Sequence, residues 1–162
     1  MHKRRLLVGP AVALLLVLLL SSSCGRAQRA SGDGLVVLVC ASDMVAEHWR
    51  VSLQVSRLDS GTFAATRILL ETEKCVLGPR LSPDGAQVVF AMTESPDCAD
   101  NPDIFLIPTS GGEPVNLTHH PARDVQPSWS PEGKRVAFYS SREPSGIYTM
   151  DSNGSHVARL PT

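Results

Sequence analysis

Pro127-Ser128-Trp129-Ser130-Pro131-Glu132-Gly133-Lys134-Arg135-Val136-Ala137-Phe138 decides the fold, because the chain contains it twice. The earlier copy, 48 residues upstream, is Pro79-Arg80-Leu81-Ser82-Pro83-Asp84-Gly85-Ala86-Gln87-Val88-Val89-Phe90. Each copy predicts a hairpin. Serine opens the turn, proline presets φ at the next position, and Asp84 bonds to the local backbone. Glycine then takes the positive-φ site. Leu81 and Val88-Val89-Phe90 flank the first turn as short strands. In the second copy Glu132 stands where aspartate would suit the turn better.

Moving outward, a second block also recurs. Ile104-Phe105 through Gly111 to Leu117 returns as Ile147-Tyr148 through Gly154 to Leu160, shifted by 43. Each copy reads as another hairpin, turning at Thr109-Ser110-Gly111-Gly112 and at Asp151-Ser152-Asn153-Gly154. Two hairpins per unit of about 45 residues make four antiparallel strands, the content of one propeller blade. The spacing places blades near 77–118 and 125–160. A fainter copy near 35–71 aligns Val55, Leu58 and Asp59 with Ile147, Met150 and Asp151; its leading strand is not visible. The fold expected is all-β: a partial propeller of about three four-stranded blades over 35–162.

The composition agrees. The 162 residues include 12 glycines and 12 prolines with 5% aromatics, which suits a turn-rich β protein better than a helical bundle. A net charge of −1 offers no basic excess for phosphates, so no nucleic-acid partner is expected.

The amino end reads separately. His2-Lys3-Arg4-Arg5, the apolar run Leu6 to Leu20 and Ser21-Ser22-Ser23 form an export signal over 1–23. The run is short for a bilayer span, which takes about 20 residues. Cys24 follows directly, and the junction resembles the lipobox of bacterial lipoproteins, with Leu20 one residue earlier than that motif places its leucine. The resemblance implies acylation of Cys24 and a membrane anchor through the lipid. Ordinary cleavage near Ser23 is the alternative. Gly25 to Gly34, small and without apolar periodicity, reads as a flexible tether within 24–34.

Leu117-Thr118-His119-His120-Pro121-Ala122-Arg123-Asp124-Val125-Gln126-Pro127-Ser128-Trp129-Ser130-Pro131-Glu132-Gly133, followed by Ile147-Tyr148-Thr149-Met150-Asp151-Ser152-Asn153-Gly154, resembles the TolB-like β-propeller repeat, departing from it at Glu132. The match covers Pro79 to Leu160 well and Leu35 to Leu70 faintly. What it implies is a non-catalytic envelope or periplasmic protein that binds other envelope proteins. Similar repeats also form the gating propellers of prolyl-oligopeptidase-like peptidases, so a propeller portion of such a peptidase is the alternative. A ligand- or carbohydrate-binding propeller is the other alternative. No glycine-x-serine-x-glycine elbow occurs in the sequence, and no cofactor or catalytic residue is expected.

After residue 23, roughly 140 residues at about 45 per blade make three blades, whereas a closed propeller takes at least four. Three explanations stand: a shortened chain, which is favoured; a homo-oligomer that completes the ring; or an open assembly.

An exported chain permits disulfides. Cys75 leads into the second blade and Cys98 lies between that blade's second and third strands. The chain crosses the blade twice between them, which brings both to the same rim, so Cys75–Cys98 is preferred. Cys40–Cys75 is the rival, and reduced buried thiols are the third reading. His119-His120 has no third ligand at suitable spacing, so no metal site is expected. Asp97, Asp100 and Asp103 lack the glycine and distal glutamate of a calcium loop and read as solvated. Trp129 is expected between blades, Asp84 as a turn cap and Asp124 in a structural role. Asn116-Leu117-Thr118 would be a sequon only in a eukaryotic secretory setting.

Overall fold

The computed structural model describes residues 28–29, 34–45, 48–59, 62–96 and 98–161; side chains are described at 34, 50–57 and from 66 onward. Cys24 and the export signal lie outside the described residues. Among the described residues, twelve strands form three antiparallel sheets of four. The first holds β1 (Gln28–Arg29), β2 (Leu35–Val45), β3 (His48–Asp59) and β4 (Thr62–Thr72) in that order. The second holds β5 (Val76–Leu81), β6 (Gln87–Met92), β7 (Asp103–Pro108) and β8 (Val115–Asn116). The third holds β9 (Asp124–Trp129), β10 (Arg135–Ser140), β11 (Gly146–Asp151) and β12 (Ala158–Arg159). Each sheet is a meander, so the expected all-β architecture of three four-stranded blades is the one observed.

Two features differ from the sequence reading. The first blade does have a leading strand: Gln28 and Arg29 pair with Val37 and Val36, inside the stretch expected to be a tether. A two-residue strand carries too little alternation to be legible. The leading strands also bulge at a repeated position. Register slips between Leu77 and Arg80 in β5, opposite β6. It slips again in β9, between Val125 and Ser128, opposite Ala137 and Tyr139 of β10. Gly78 (φ 53°) and Gln126 (φ 56°), each one residue before a proline, take the left-handed conformation there.

The turns form as their residues dictate. Ser82 Oγ accepts from the Gln87 amide (2.9 Å) and donates to Asp84 Oδ1 (2.5 Å), which also accepts from the Ala86 amide at 3.0 Å. Gly85, at φ 73°, donates to the Ser82 carbonyl at 2.9 Å. In the third blade Gly133 donates to the Ser130 carbonyl at 2.9 Å, while Ser130 Oγ accepts from the Arg135 amide at 3.1 Å. The two turns stack: a Cβ on Gly133 would lie 3.5 Å from Pro83 Cδ.

The core lies between sheets. Strand alternation sends Val88, Phe90 and Met92 of β6 toward the first blade, where they meet Leu53, Val55 and Leu69. Val89 and Ala91 point the other way, to Val136, Phe138 and Met150. The middle blade is therefore buried on both faces, and its strands read as nearly continuous apolar runs.

Candidate interaction surface

Strand direction divides the connections between two rims. Residues 73–75, 93–102, 117–123 and 141–145 share one rim; 82–86, 109–114, 130–134 and 152–157 share the other.

Each loop on the first rim is tied down. Cys75 and Cys98 form a disulfide with their Cα atoms 5.2 Å apart, closing a sequence separation of 23. Cys40 sits in β2 opposite Ser52, and its side chain is outside the described part. Beside the disulfide, Cys75 donates its amide to Thr93 Oγ1 at 3.2 Å. The next loop, 117–123, is gathered onto one carboxylate: Asp103 accepts from Asn116 Nδ2 (2.7 Å), Thr118 Oγ1 (2.8 Å) and the His120 amide (3.1 Å). His120 Nδ1 in turn accepts from the Ala122 amide at 3.0 Å, so this nitrogen is committed within the loop. His119 stands at φ 43° and is exposed.

Loop 141–145 is held by an ion pair that the sequence reading did not find. Asp124 is fully buried, and its Oδ2 accepts from Arg142 Nη2 at 2.5 Å. The guanidinium lies over the Tyr148 ring (5.0 Å to the centroid) and near that of Phe138 (5.6 Å). Asp124 Oδ1 has no hydrogen-bond partner. The repeat shift of 48 places Val76 where blade three has Asp124. The middle blade thus lacks a buried ion pair at this corner. It has the exposed pair Lys74–Glu94, with Glu94 standing where blade three has Arg142, and the disulfide in the same loop.

The other rim carries the one group that superficially resembles a hydrolytic relay among the described residues. His156 Nδ1 is 2.7 Å from Asp151 Oδ2 and 3.2 Å from Ser155 Oγ, and Ser155 Oγ donates to the same carboxylate at 3.2 Å. A relay needs serine and aspartate on opposite ring nitrogens, and here both meet Nδ1. The cluster fixes a turn instead. The hydrogen bond from His156 is the main cause holding the Asp151 carboxyl below its usual 3.8. Next to it an open depression of about 550 Å³ is lined by Glu132, Lys134, Arg135, Asp151 and Asn153, among others. Charges of both signs share it, which favours no single ligand charge. Among the described residues no three His, Cys, Asp or Glu side chains converge as metal ligands. Asp103 is engaged as above, Asp100 is exposed, and Asp97 is outside the described residues.

Of the residues singled out from sequence, the structure brings Cys75 and Cys98 together and seats Trp129 between blades. It also places Asp84 at its turn. Arg142 and the Asp103 clamp were missed. Their only trace is a polar residue at each end of an apolar strand, which is common on any surface.

Comparison with known proteins agrees with this architecture. A 30% identical stretch of 89 residues matches an uncharacterized peptidase, YuxL, of Bacillus subtilis, covering 52% of this chain and 14% of that protein. The chain therefore spans about a seventh of that relative. Among solved structures, TolB from Acinetobacter baumannii superposes with a TM-score of 0.61 at 23% identity, covering 80% of this chain and 30% of that one. The β-propeller domain of the Trilobed protease from Pyrococcus furiosus gives 0.62 at 15% identity, covering 84% and 41%. At these identities the likenesses speak for the fold. The model of the TolB beta propeller domain matches residues 46–162, most of the sequence, and the chain belongs to that family.

Proposed function

We propose that the chain is an exported, non-catalytic propeller module that binds a partner protein at the bacterial envelope through the rim bearing the disulfide. The carrying observation is the locking of three successive loops on that rim: by Cys75–Cys98, by the Asp103 clamp and by Asp124–Arg142. Loops already held in place lose less conformational entropy on binding, which favours a docking role. Export rests on the signal over 1–23, and anchoring on acylation of Cys24.

The test inserts a photo-crosslinking residue at His119, Arg123 or Glu143, with Glu113 and Glu132 on the other rim as controls. A discrete adduct to one envelope protein from the first set alone is expected. Adducts from both rims alike, or from neither, would overturn the assignment. Anchoring is read separately: palmitate label should enter the wild type and be absent from Cys24→Ser.

The match to a peptidase supports a second reading, in which the blades are the propeller portion of a longer hydrolase. An immunoblot of the source cell separates the two, because that reading requires a native mass far above 17.4 kDa.

A further inference from the structure

The connection between the second and third strands of a blade differs between the two clear copies. It spans 93–102 in blade two and 141–145 in blade three. The repeat shift falls from 48 before this loop to 43 after it, so blade two carries five more residues there. Both ends of the longer loop are fixed without help from sulfur. Thr93 donates its amide to the Cys75 carbonyl at 3.1 Å, and its Oγ1 accepts from the Cys75 amide at 3.2 Å. At the far end Asn101 Nδ2 donates to the Pro121 carbonyl at 2.8 Å, and Asp103 holds Thr118 and the His120 amide. Between these ties Glu94, Pro96, Cys98, Ala99 and Asp100 are exposed, and the disulfide joins the middle of the stretch to the blade.

The two cysteines differ in access. Cys75, immediately before β5, is 7% exposed, whereas Cys98 is exposed. A thiolate enters a disulfide at the sulfur that solvent reaches, so access directs attack to Cys98 and makes Cys75 the leaving group. They differ in backbone as well. Cys98 stands at φ 59°, in the left-handed region that a residue with a β-carbon occupies at a cost. Once the bond is open, Cys98 is free to return to an ordinary conformation, which favours the released loop. The sheet does not depend on the bond for its packing: Val88, Phe90, Phe105 and Ile107 meet the first blade, and Val89, Ala91, Ile104 and Leu106 meet the third.

We propose that Cys75–Cys98 is a thiol-exchange site in the folded protein, entered at Cys98, and that a dithiol opens it and frees the loop around Cys98 while the blade stays folded. One thiolate of the dithiol attacks Cys98 Sγ. A new S–S bond forms there, the Cys75–Cys98 bond breaks, and its electron pair leaves on Cys75 as a thiolate. The second thiolate of the dithiol then attacks the sulfur of its own molecule in the mixed disulfide, closing the oxidised ring and releasing Cys98. Two electrons thus pass from the dithiol to the bridge, and each released thiolate takes up a proton from water. The anchor at the same corner of blade three, Asp124–Arg142, has no bond that a thiol can open. One corner of the rim is therefore held permanently and the other conditionally, whatever docks there.

Glutathione and dithiothreitol test this on the chain carrying Cys24→Ser and Cys40→Ser, in which the bridge holds the remaining cysteines. After brief exposure to glutathione without denaturant and an acid quench, peptide mapping should place the glutathione on Cys98. Glutathione on Cys75, or on both alike, overturns the proposal. The rate at which dithiothreitol opens the bond in plain buffer should lie within about a hundredfold of the rate in unfolding urea; a larger gap means that opening waits for global unfolding, and overturns it. Once the freed thiols are alkylated, a protease specific for acidic residues should cut between Glu94 and Asp100 at least about tenfold faster than in the oxidised protein, with β6 and β7 left intact. Cleavage of the loop at an unchanged rate, or cleavage that spreads into β6 and β7, overturns it as well.

Discussion

The indole Nε1 of Trp129 donates to the carbonyl oxygen of Arg80 across 3.1 Å, joining the leading strand of the third blade to that of the second. The ring packs against the apolar layer between those blades. Trp129→Phe keeps most of the packing and loses the hydrogen bond, for an expected loss of about 1 kcal/mol. Trp129→Ala loses both and should cost about 3 kcal/mol, at the low end for such truncations because the ring is half-buried. Urea unfolding of the two variants measures the difference.

Asp124 and Arg142 differ in what each leaves behind when the other is removed. Arg142→Ala strands a fully buried carboxylate, and a loss of about 3 kcal/mol or more is expected. Arg142→Lys keeps the charge but gives up the planar contact with Tyr148, and should recover only part of that loss. Thermal melts of the two variants rank the contributions.

The disulfide closes a separation of 23 residues, for which chain entropy predicts about 3 kcal/mol. Cys75→Ser should lower the melting temperature, and reductant should lower that of the wild type but leave this variant nearly unmoved. The comparison requires Cys24→Ser and Cys40→Ser in both backgrounds, and Cys98→Ser beside Cys75→Ser, so that no cysteine outside the bridge can exchange.

The hydrogen bond from Ser82, with a further one from the Ala86 amide, holds the Asp84 carboxyl below its usual 3.8. A depressed folded value means that the turn contributes stability above the unfolded value and loses it as the pH falls through the folded one. The stability gap between wild type and Asp84→Asn should therefore be constant near neutrality and shrink below about pH 4. Denaturant midpoints at stepped pH follow it.

Gly154 and Gly111 form a matched pair. Both sit at positive φ (87° and 94°), so alanine is strained at either. A Cβ on Gly154 would also come within 2.9 Å of the Leu117 carbonyl, whereas one on Gly111 meets nothing within 4 Å. Gly111→Ala should cost about 1 kcal/mol and Gly154→Ala distinctly more. Chemical denaturation of both variants decides it.

The second and third blades were legible because their turn chemistry recurs at fixed intervals, and Val88-Val89-Phe90 and Val136-Ala137-Phe138 carry the strand signal beside it. Trp129 was legible through its place on an alternating strand. The first blade was only partly so, since β1 is two residues long and Val45 to Arg57 spans two strands with the pair Ala46-Glu47 between them. The left-handed backbone at Gln126 was hidden because nothing about glutamine announces it, although Gly78 at the equivalent place does. The Asp103 clamp was hidden for another reason. Its donors lie 13 to 17 residues away, and only the folded loop makes neighbours of them.

Strand β6 gives alternate side chains to two different partners, with Phe90 and Met92 on one side and Val89 and Ala91 on the other. It is a keystone: the flanking sheets owe their docking to the one between them. A void opened at Phe90 would loosen the grip of the first sheet directly and, through the shared backbone, that of the third. The three blades are for this reason expected to melt as a single unit rather than to peel away in turn.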